Sequence, residues 1–165
     1  MLPSCIGIVG LGLIGGSLGL DLQGLGIKVH GLVHRPQTAQ RAKERGLAQV
    51  VSTDPEILNL CEVVFIALPI EDLINPSKEL IASLPKNAII ADVGSVKAPL
   101  LKIWNQKHAR FVGSHPMAGT AFSGVNSGQK GLFKQRPWVI TPDSNTDSLA
   151  LATIKKIALA LGSEV

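Results

Sequence analysis

The chain opens with a short apolar run, Cys5-Ile-Gly-Ile-Val9, which meets a cluster of glycines and then leucines at positions 18, 22 and 25. The unbroken run fits a strand buried on both faces, and the spacing of four and three fits one face of a helix over residues 17–25. The same succession recurs downstream. Residues 28–33 predict a second strand, and 38–45 a polar helix introduced by Pro36 and stopped by Gly46. Residues 49–51 read as a short edge strand, 63–67 as a buried strand stopped by Pro69, and 70–84 as one helix. A strand at 88–92, a helix at 99–106 and a strand at 111–113 follow. Beyond Pro116 the glycines at 119, 124, 128 and 131 mark a loop-rich stretch before a strand at Trp138–Thr141 and a helix over 146–161. Alternation of this kind predicts an α/β fold built on a doubly wound, mostly parallel sheet. The last residues, Leu161-Gly-Ser-Glu-Val165, read as a helix end feeding another strand, so the chain is expected to stop before its fold does.

Composition narrows the picture. A length of 165 residues favours one domain, spanning 1–165, and 45% hydrophobic against 17% charged residues is a globular balance. No apolar stretch approaches the roughly 20 residues of a membrane span, and the N-terminus lacks the basic start of an export signal. A cytoplasmic location is expected. The net charge of +4 is spread along the chain and aromatic residues are 4%, with no Tyr, which suits a small anionic ligand and disfavours nucleic acid. Cys5 and Cys61 stand apart, without a CxxC spacing or a neighbouring His, and read as reduced structural thiols with no metal.

The glycines after the first strand have a specific order. Gly10, Gly12 and Gly15 form GxGxxG between a strand and a helix, the context in which that pattern binds a dinucleotide. The first glycine makes the turn, the second admits a pyrophosphate to the backbone, and the third allows the helix to pack on the strand. Free N–H groups of Leu13, Ile14 and Gly15 then face the anion at the positive end of the helix. At the end of the second strand an acid would hold the ribose hydroxyl of NAD, but the chain reads Val33-His34-Arg35-Pro36-Gln37-Thr38. Arg35 offers a planar fork for a phosphate, and His34 and Thr38 offer further donors, so NADP is expected over NAD.

Two polar segments fall at the carboxyl ends of later strands, where open α/β sheets bind their ligands: Asp92-Val-Gly-Ser95-Val-Lys97 and Gly113-Ser-His115-Pro-Met-Ala-Gly-Thr120. His115 is expected to accept a hydroxyl proton as hydride leaves the same carbon, with Ser95 orienting its ring. Lys97 fits equally a group steering a carboxylate or phosphate and a solvated side chain. Thr120 is a candidate to close over the cofactor, and Trp104 and Trp138 are expected to serve packing.

With these segments the sequence resembles the prephenate and arogenate dehydrogenases, on Val9-Gly-Leu-Gly-Leu-Ile-Gly-Gly-Ser17, Ala67-Leu-Pro-Ile70, Asp92–Lys97, Gly113–Thr120 and Leu132-Phe. The resemblance implies a Rossmann-type NAD(P) domain and an oxidative decarboxylation that ends in an aromatic ring and needs no metal. It implies that His115 contacts the substrate hydroxyl, that Ser95 assists, and that Leu68, Pro69 and Gly94 join the cofactor site. The basic strand end is more similar to the NADP-using arogenate branch. Family members continue into a helical C-terminal domain that forms a homodimer and holds the small anionic substrate, arogenate or prephenate. Without that domain the chain is expected to bind NADP but to turn over slowly, since near-attack positioning is worth roughly 7–11 kcal/mol. A β-hydroxyacid dehydrogenase-like reductase and a non-catalytic NADP-binding module are the alternative readings.

Overall fold

Alternate residues along each central strand enter opposite apolar layers, which is what a sheet covered on both faces requires. Ile6 and Ile8 join one buried cluster of 26 residues, while Cys5 and Val9 join a second cluster of 14 on the other face. The computed structural model describes all 165 residues. Its strands are β1 (Cys5–Val9), β2 (Lys28–Leu32), β3 (Val50–Ser52), β4 (Val63–Ile66), β5 (Ile89–Asp92), β6 (Phe111–Pro116) and β7 (Trp138–Thr141). They form one seven-stranded sheet in the order β3-β2-β1-β4-β5-β6-β7. All pairs are parallel except β6 with β7, which is antiparallel. The helices are α1 (Leu13–Gly24), α2 (Pro36–Glu44), α3 (Ile70–Ile74), α4 (Lys78–Ser83), α5 (Ala98–Trp104) and α6 (Ser148–Ala160), with a 3-10 turn at Pro55–Leu58. No helix is long and apolar enough to cross a membrane. The doubly wound, mostly parallel α/β architecture expected from the alternation is the one present.

Four expectations need correction. Helix α1 begins at Leu13, four residues ahead of the leucine periodicity, because Gly15 and Gly16 carry no apolar signal. The single helix expected over 70–84 is two helices. Pro76 disfavours helical geometry at Asn75, which sits at φ −127° and ψ 67°, and Ser77 then caps α4 by accepting the Leu80 N–H at 3.1 Å. The edge strand lies at Val50–Ser52, one residue later than expected. Strand β6 runs on to Pro116, so Ser114 and His115 are strand residues held by β7, through Ser114↔Ile140 and His115↔Val139. Proline lacks a ladder donor, and here it is the last strand residue. At the other end of the chain Glu164 pairs with Pro137 in a single parallel bridge.

The tryptophans pack as expected. Trp104 stacks on Phe111 at 5.4 Å and donates its indole N–H to the Leu73 carbonyl, while Trp138 lies against Phe65 and Phe133. The glycine-rich stretch after Pro116 packs on α1: a Cβ on Gly128 would lie 2.9 Å from the Gly16 carbonyl carbon, Ser17 Oγ accepts the Gln129 N–H, and the Asp21 carboxylate accepts that of Gly131. Arg45 donates to the carbonyls of Val125 and Gly128, tying the same loop to α2.

Helix α1 approaches the chain so closely at Gly19 that a Cβ there would stand 1.9 Å from the Leu47 carbonyl oxygen, whereas one at Gly24 would meet nothing within 4 Å. Gly19→Ala is expected to lower unfolding free energy by about 1–3 kcal/mol, and Gly24→Ala to leave it unchanged or raise it by up to about 1 kcal/mol. Urea denaturation of the two variants measures both; equal stability would refute the close approach.

Candidate active site

The turn from β1 into α1 carries three glycines in three distinct environments. Gly10 adopts φ +91°, which L side chains disfavour, and a Cβ there would lie 2.5 Å from the Ala67 carbonyl oxygen. A Cβ on Gly15 would fall 1.8 Å from the Gly10 carbonyl oxygen, so only glycine lets the helix start this close to the strand end. Above Gly12 there is open space, with nothing within 4 Å of a Cβ. Gly12 caps α1 without a side-chain hydrogen bond, and no acid stands in the first turn. The first N–H groups of a helix have no partner within it, so this uncapped end presents donors and a positive dipole to whatever enters the space. The turn therefore fits a pyrophosphate.

That space belongs to a cavity of about 760 Å³ at the carboxyl edge of the sheet. Of the residues expected to hold cofactor, Gly10, Gly12, His34, Arg35, Thr38 and Leu68 line it. Leu13, Ile14 and Gly15 form the first turn of α1 directly behind the Gly12 cap. Pro69 caps α3, and Gly94 packs against Leu73 and Leu100. These last five do not line the cavity. His34 and Arg35 are exposed, and neither side chain makes a hydrogen bond within the protein, so the imidazole and the guanidinium are both free to meet a ligand. Asp72, Ser77 and Glu79 complete the opposite wall, together with Gly124 and Val125 of the loop that Arg45 holds. Periodicity had absorbed the first three into a single helix; the Asn75-Pro76 pair was the signal of a break there.

The second cluster lies along the same edge, where β5 and β6 part. Their parallel ladder ends at Ile90↔Phe111 and Ala91↔Val112. Beyond it the fully buried Asp92 carboxylate replaces the ladder, accepting the Ser114 N–H at 3.0 Å and the Gly94 N–H at 2.9 Å. Ser114 Oγ returns a bond to the Asp92 carbonyl at 2.6 Å. Lys97 Nζ forms an ion pair with Asp92 and donates to the Ser114 carbonyl at 2.7 Å. Lys97 is thus neither a solvated side chain nor a free steering charge, and its ammonium is engaged beneath the site. Burial pushes the Asp92 carboxyl up and the Lys97 ammonium down, and each partner pulls the other back towards its charged form.

His115 sits half-buried beside this pair, and its ring makes no hydrogen bond to another residue. Burial first, and the Lys97 charge second, hold its imidazole below the ordinary histidine range, against an opposing pull from Asp92. The ring is therefore neutral near pH 7 and has a lone pair to accept a proton. Ser95 is exposed on the loop after β5, and no hydrogen bond joins it to His115. Thr120 is exposed and accepts the Phe122 N–H, away from the cavity wall.

A doubly wound sheet whose glycine turn opens on an uncapped helix at the carboxyl edge defines a nucleotide-binding α/β domain of the Rossmann type. Comparison with known families is more particular: residues 18–165 match the model of the prephenate dehydrogenase nucleotide-binding domain, and the chain belongs to that family. It is 32% identical over 158 residues to prephenate dehydrogenase of Bacillus subtilis, covering 91% of this chain and 42% of that protein. Its fold matches Synechocystis arogenate dehydrogenase with a TM-score of 0.87 and 35% identity, over 97% of this chain and 58% of the other. It also matches Aquifex aeolicus prephenate dehydrogenase, a structure in complex with hydroxyphenyl propionate and NAD+, with a TM-score of 0.89 and 29% identity over 100% and 59% of the two chains. The chain thus spans about half the length of the relatives it matches.

Removing Lys97 strands the buried Asp92 carboxylate. Lys97→Met is expected to cost about 3–5 kcal/mol in urea unfolding. Loss of the positive charge also raises the His115 pKa towards its ordinary value, because Lys97 is one of the two causes that lower it. An NMR titration of the His115 ring protons that shows no upward movement in the variant would contradict this electrostatic link.

Proposed function

We propose that this chain is the cofactor-binding half of an NADP-linked dehydrogenase that oxidatively decarboxylates arogenate or prephenate. The observation that carries the reading is a half-buried, neutral imidazole, His115, at the same sheet edge as the uncapped glycine turn. Strand β6 stands three places from β1 in the sheet, roughly 14 Å along that edge at the usual strand spacing. The two clusters are thus spaced to engage different ends of one extended molecule. The family membership supports the reading, as do relatives described as prephenate and arogenate dehydrogenases.

The residues present fit a phosphorylated dinucleotide. Gly10 and Gly12 with the start of α1 would hold the pyrophosphate, and Arg35, His34 and Thr38 the additional phosphate on the ribose. No carboxylate stands at the end of β2 to repel that phosphate. When bound, the pyridine nucleotide supplies a hydride acceptor. His115 would take the proton of the substrate hydroxyl at a ring nitrogen as hydride leaves the same carbon for the nucleotide; the carboxylate on the ring carbon opposite would depart as carbon dioxide, its electron pair passing through the ring double bond towards the new carbonyl to complete the aromatic ring. Ser95, on the neighbouring loop, would reach the ring or the hydroxyl once substrate excludes water. Recognition of the substrate carboxylates, and a homodimer, would fall to a helical domain of the kind with which members of this family continue.

Titrating NADP and NAD against this chain and an Arg35→Ala variant tests the cofactor assignment. The variant is expected to lose about 1.5–3 kcal/mol of NADP binding, roughly 10- to 150-fold, with little change for NAD. Equal affinity of the parent for both cofactors would defeat it. With the helical region present, His115→Asn is expected to lower kcat by about 10²–10⁴-fold. The parent's kcat/KM should fall with pH only below about 6.5, because protonation removes the base and the His115 pKa is lowered from that value. A variant with normal turnover, or an acidic limb well above neutrality, would remove His115 as the base.

A further inference from the structure

The opposite side of the molecule holds a cluster that the proposed reaction does not use. Cys5 opens β1, His30 lies on β2, and Cys61 precedes β4; all three are buried, with 7%, 6% and 4% exposure. Sequence spacing kept them apart, and the parallel register brings them together: Gly7 pairs with His30 on one side and Val64 on the other. The two sulfurs lie 3.7 Å apart, and each residue contributes one ligand atom to a set in which all lie within 4.8 Å of one another. Gly7 leaves the room for this, since a Cβ there would come within 3.1 Å of Cys61 Sγ.

The histidine supplies the second observation. Its Nδ1 is bonded at 2.6 Å to the Ile57 carbonyl, which can only accept, so Nδ1 carries the proton and Nε2 carries a lone pair. Nε2 is buried and has no hydrogen-bond partner at all. A buried acceptor without a donor is costly, and a backbone carbonyl on the far nitrogen is the arrangement that fixes the tautomer of a metal-ligating histidine.

We propose that Cys5, His30 and Cys61 form a structural site for a thiophilic d10 cation, Zn²⁺ or Cu⁺. Thiolate and imidazole ligands select these ions over magnesium or calcium. Two thiolates at about 2.3 Å from one tetrahedral zinc stand about 3.8 Å apart, close to the spacing of the sulfurs here. The bound ion would tie β1, β2 and the connection into β4 at the amino edge of the sheet, across from the cofactor cavity.

The test uses the reduced chain, stripped with chelator and kept free of oxygen, then loaded with Zn²⁺ or with Cu⁺ in separate arms. Expected is one ion per chain retained through desalting, in one arm or both, with a rise in Tm and with Cys5 and Cys61 shielded from alkylation. His30→Gln and Cys61→Ala should each weaken retention by at least about tenfold. The alkylation readout on the parent needs no variant, so a variant that fails to fold leaves the test intact. Three results would overturn the proposal: no retained ion in either arm, retention with both thiols still alkylated, or full retention in folded variants. A Cys5–Cys61 disulfide formed in peroxide, with no ion bound in the reduced chain, would assign the pair to redox chemistry instead and overturn it equally.

Discussion

The buried Asp92 carboxylate is the constraint on which the reactive edge depends. Two parallel strands part at its level, and strands that part leave backbone donors without partners inside the protein. Asp92 accepts two of these donors, from Gly94 and Ser114, and Lys97 balances its charge. One side chain thereby sets where the loop bearing Ser95 leaves β5 and where β6 turns away from β5 to pair with β7. A carboxylate buried without this set of partners would take up a proton, and the bonds that hold the two segments would loosen.

The glycine turn solves a different problem at the same edge. Its third glycine admits the Gly10 carbonyl to within 1.8 Å of where a Cβ would be, which seats α1 tightly on the end of β1. Its second stands before open space, so the free N–H groups at the start of α1 face a ligand. A glycine at this cap costs only a few tenths of a kcal/mol relative to a side-chain cap, and an anion at the helix start would offset it. Loop 124–131 then packs on the far side of α1 through Gly128, Ser17 and Asp21, and Arg45 anchors it to α2. The cavity is thus built from one rigid turn and one loop held at several points.

Electrostatics divides the edge into two kinds of group. His34 and Arg35 are exposed and make no side-chain hydrogen bond, which leaves them available, while water screens the Arg35 charge. His115 and Lys97 are withdrawn from water, and their burial favours the neutral forms. The sheet thus places exposed, unpaired groups at its rim and desolvated ones where β5 and β6 part.

Much of this was legible in the residue pattern. The strand-helix alternation, the GxGxxG turn and the basic end of β2 are local features, and local features read directly from spacing and residue type. The break at Asn75-Pro76 was written in the sequence too, but helical periodicity on both sides masked it. What the pattern could not carry was the pairing of distant segments. Lys97 was equally consistent with solvent and with a ligand until folding set it against Asp92 and Ser114, and β6 was extended past Gly113 only by the antiparallel partner supplied twenty-odd residues later. Cys5, His30 and Cys61 lie 25 and 31 positions apart along the chain and meet only through the register of β1, β2 and β4. Residue type and spacing decided which elements form and which groups have chemistry to offer. The environment of each group, and so its charge and its partners, belongs to the tertiary structure, because desolvation and long-range hydrogen bonds exist only once the sheet has closed around them.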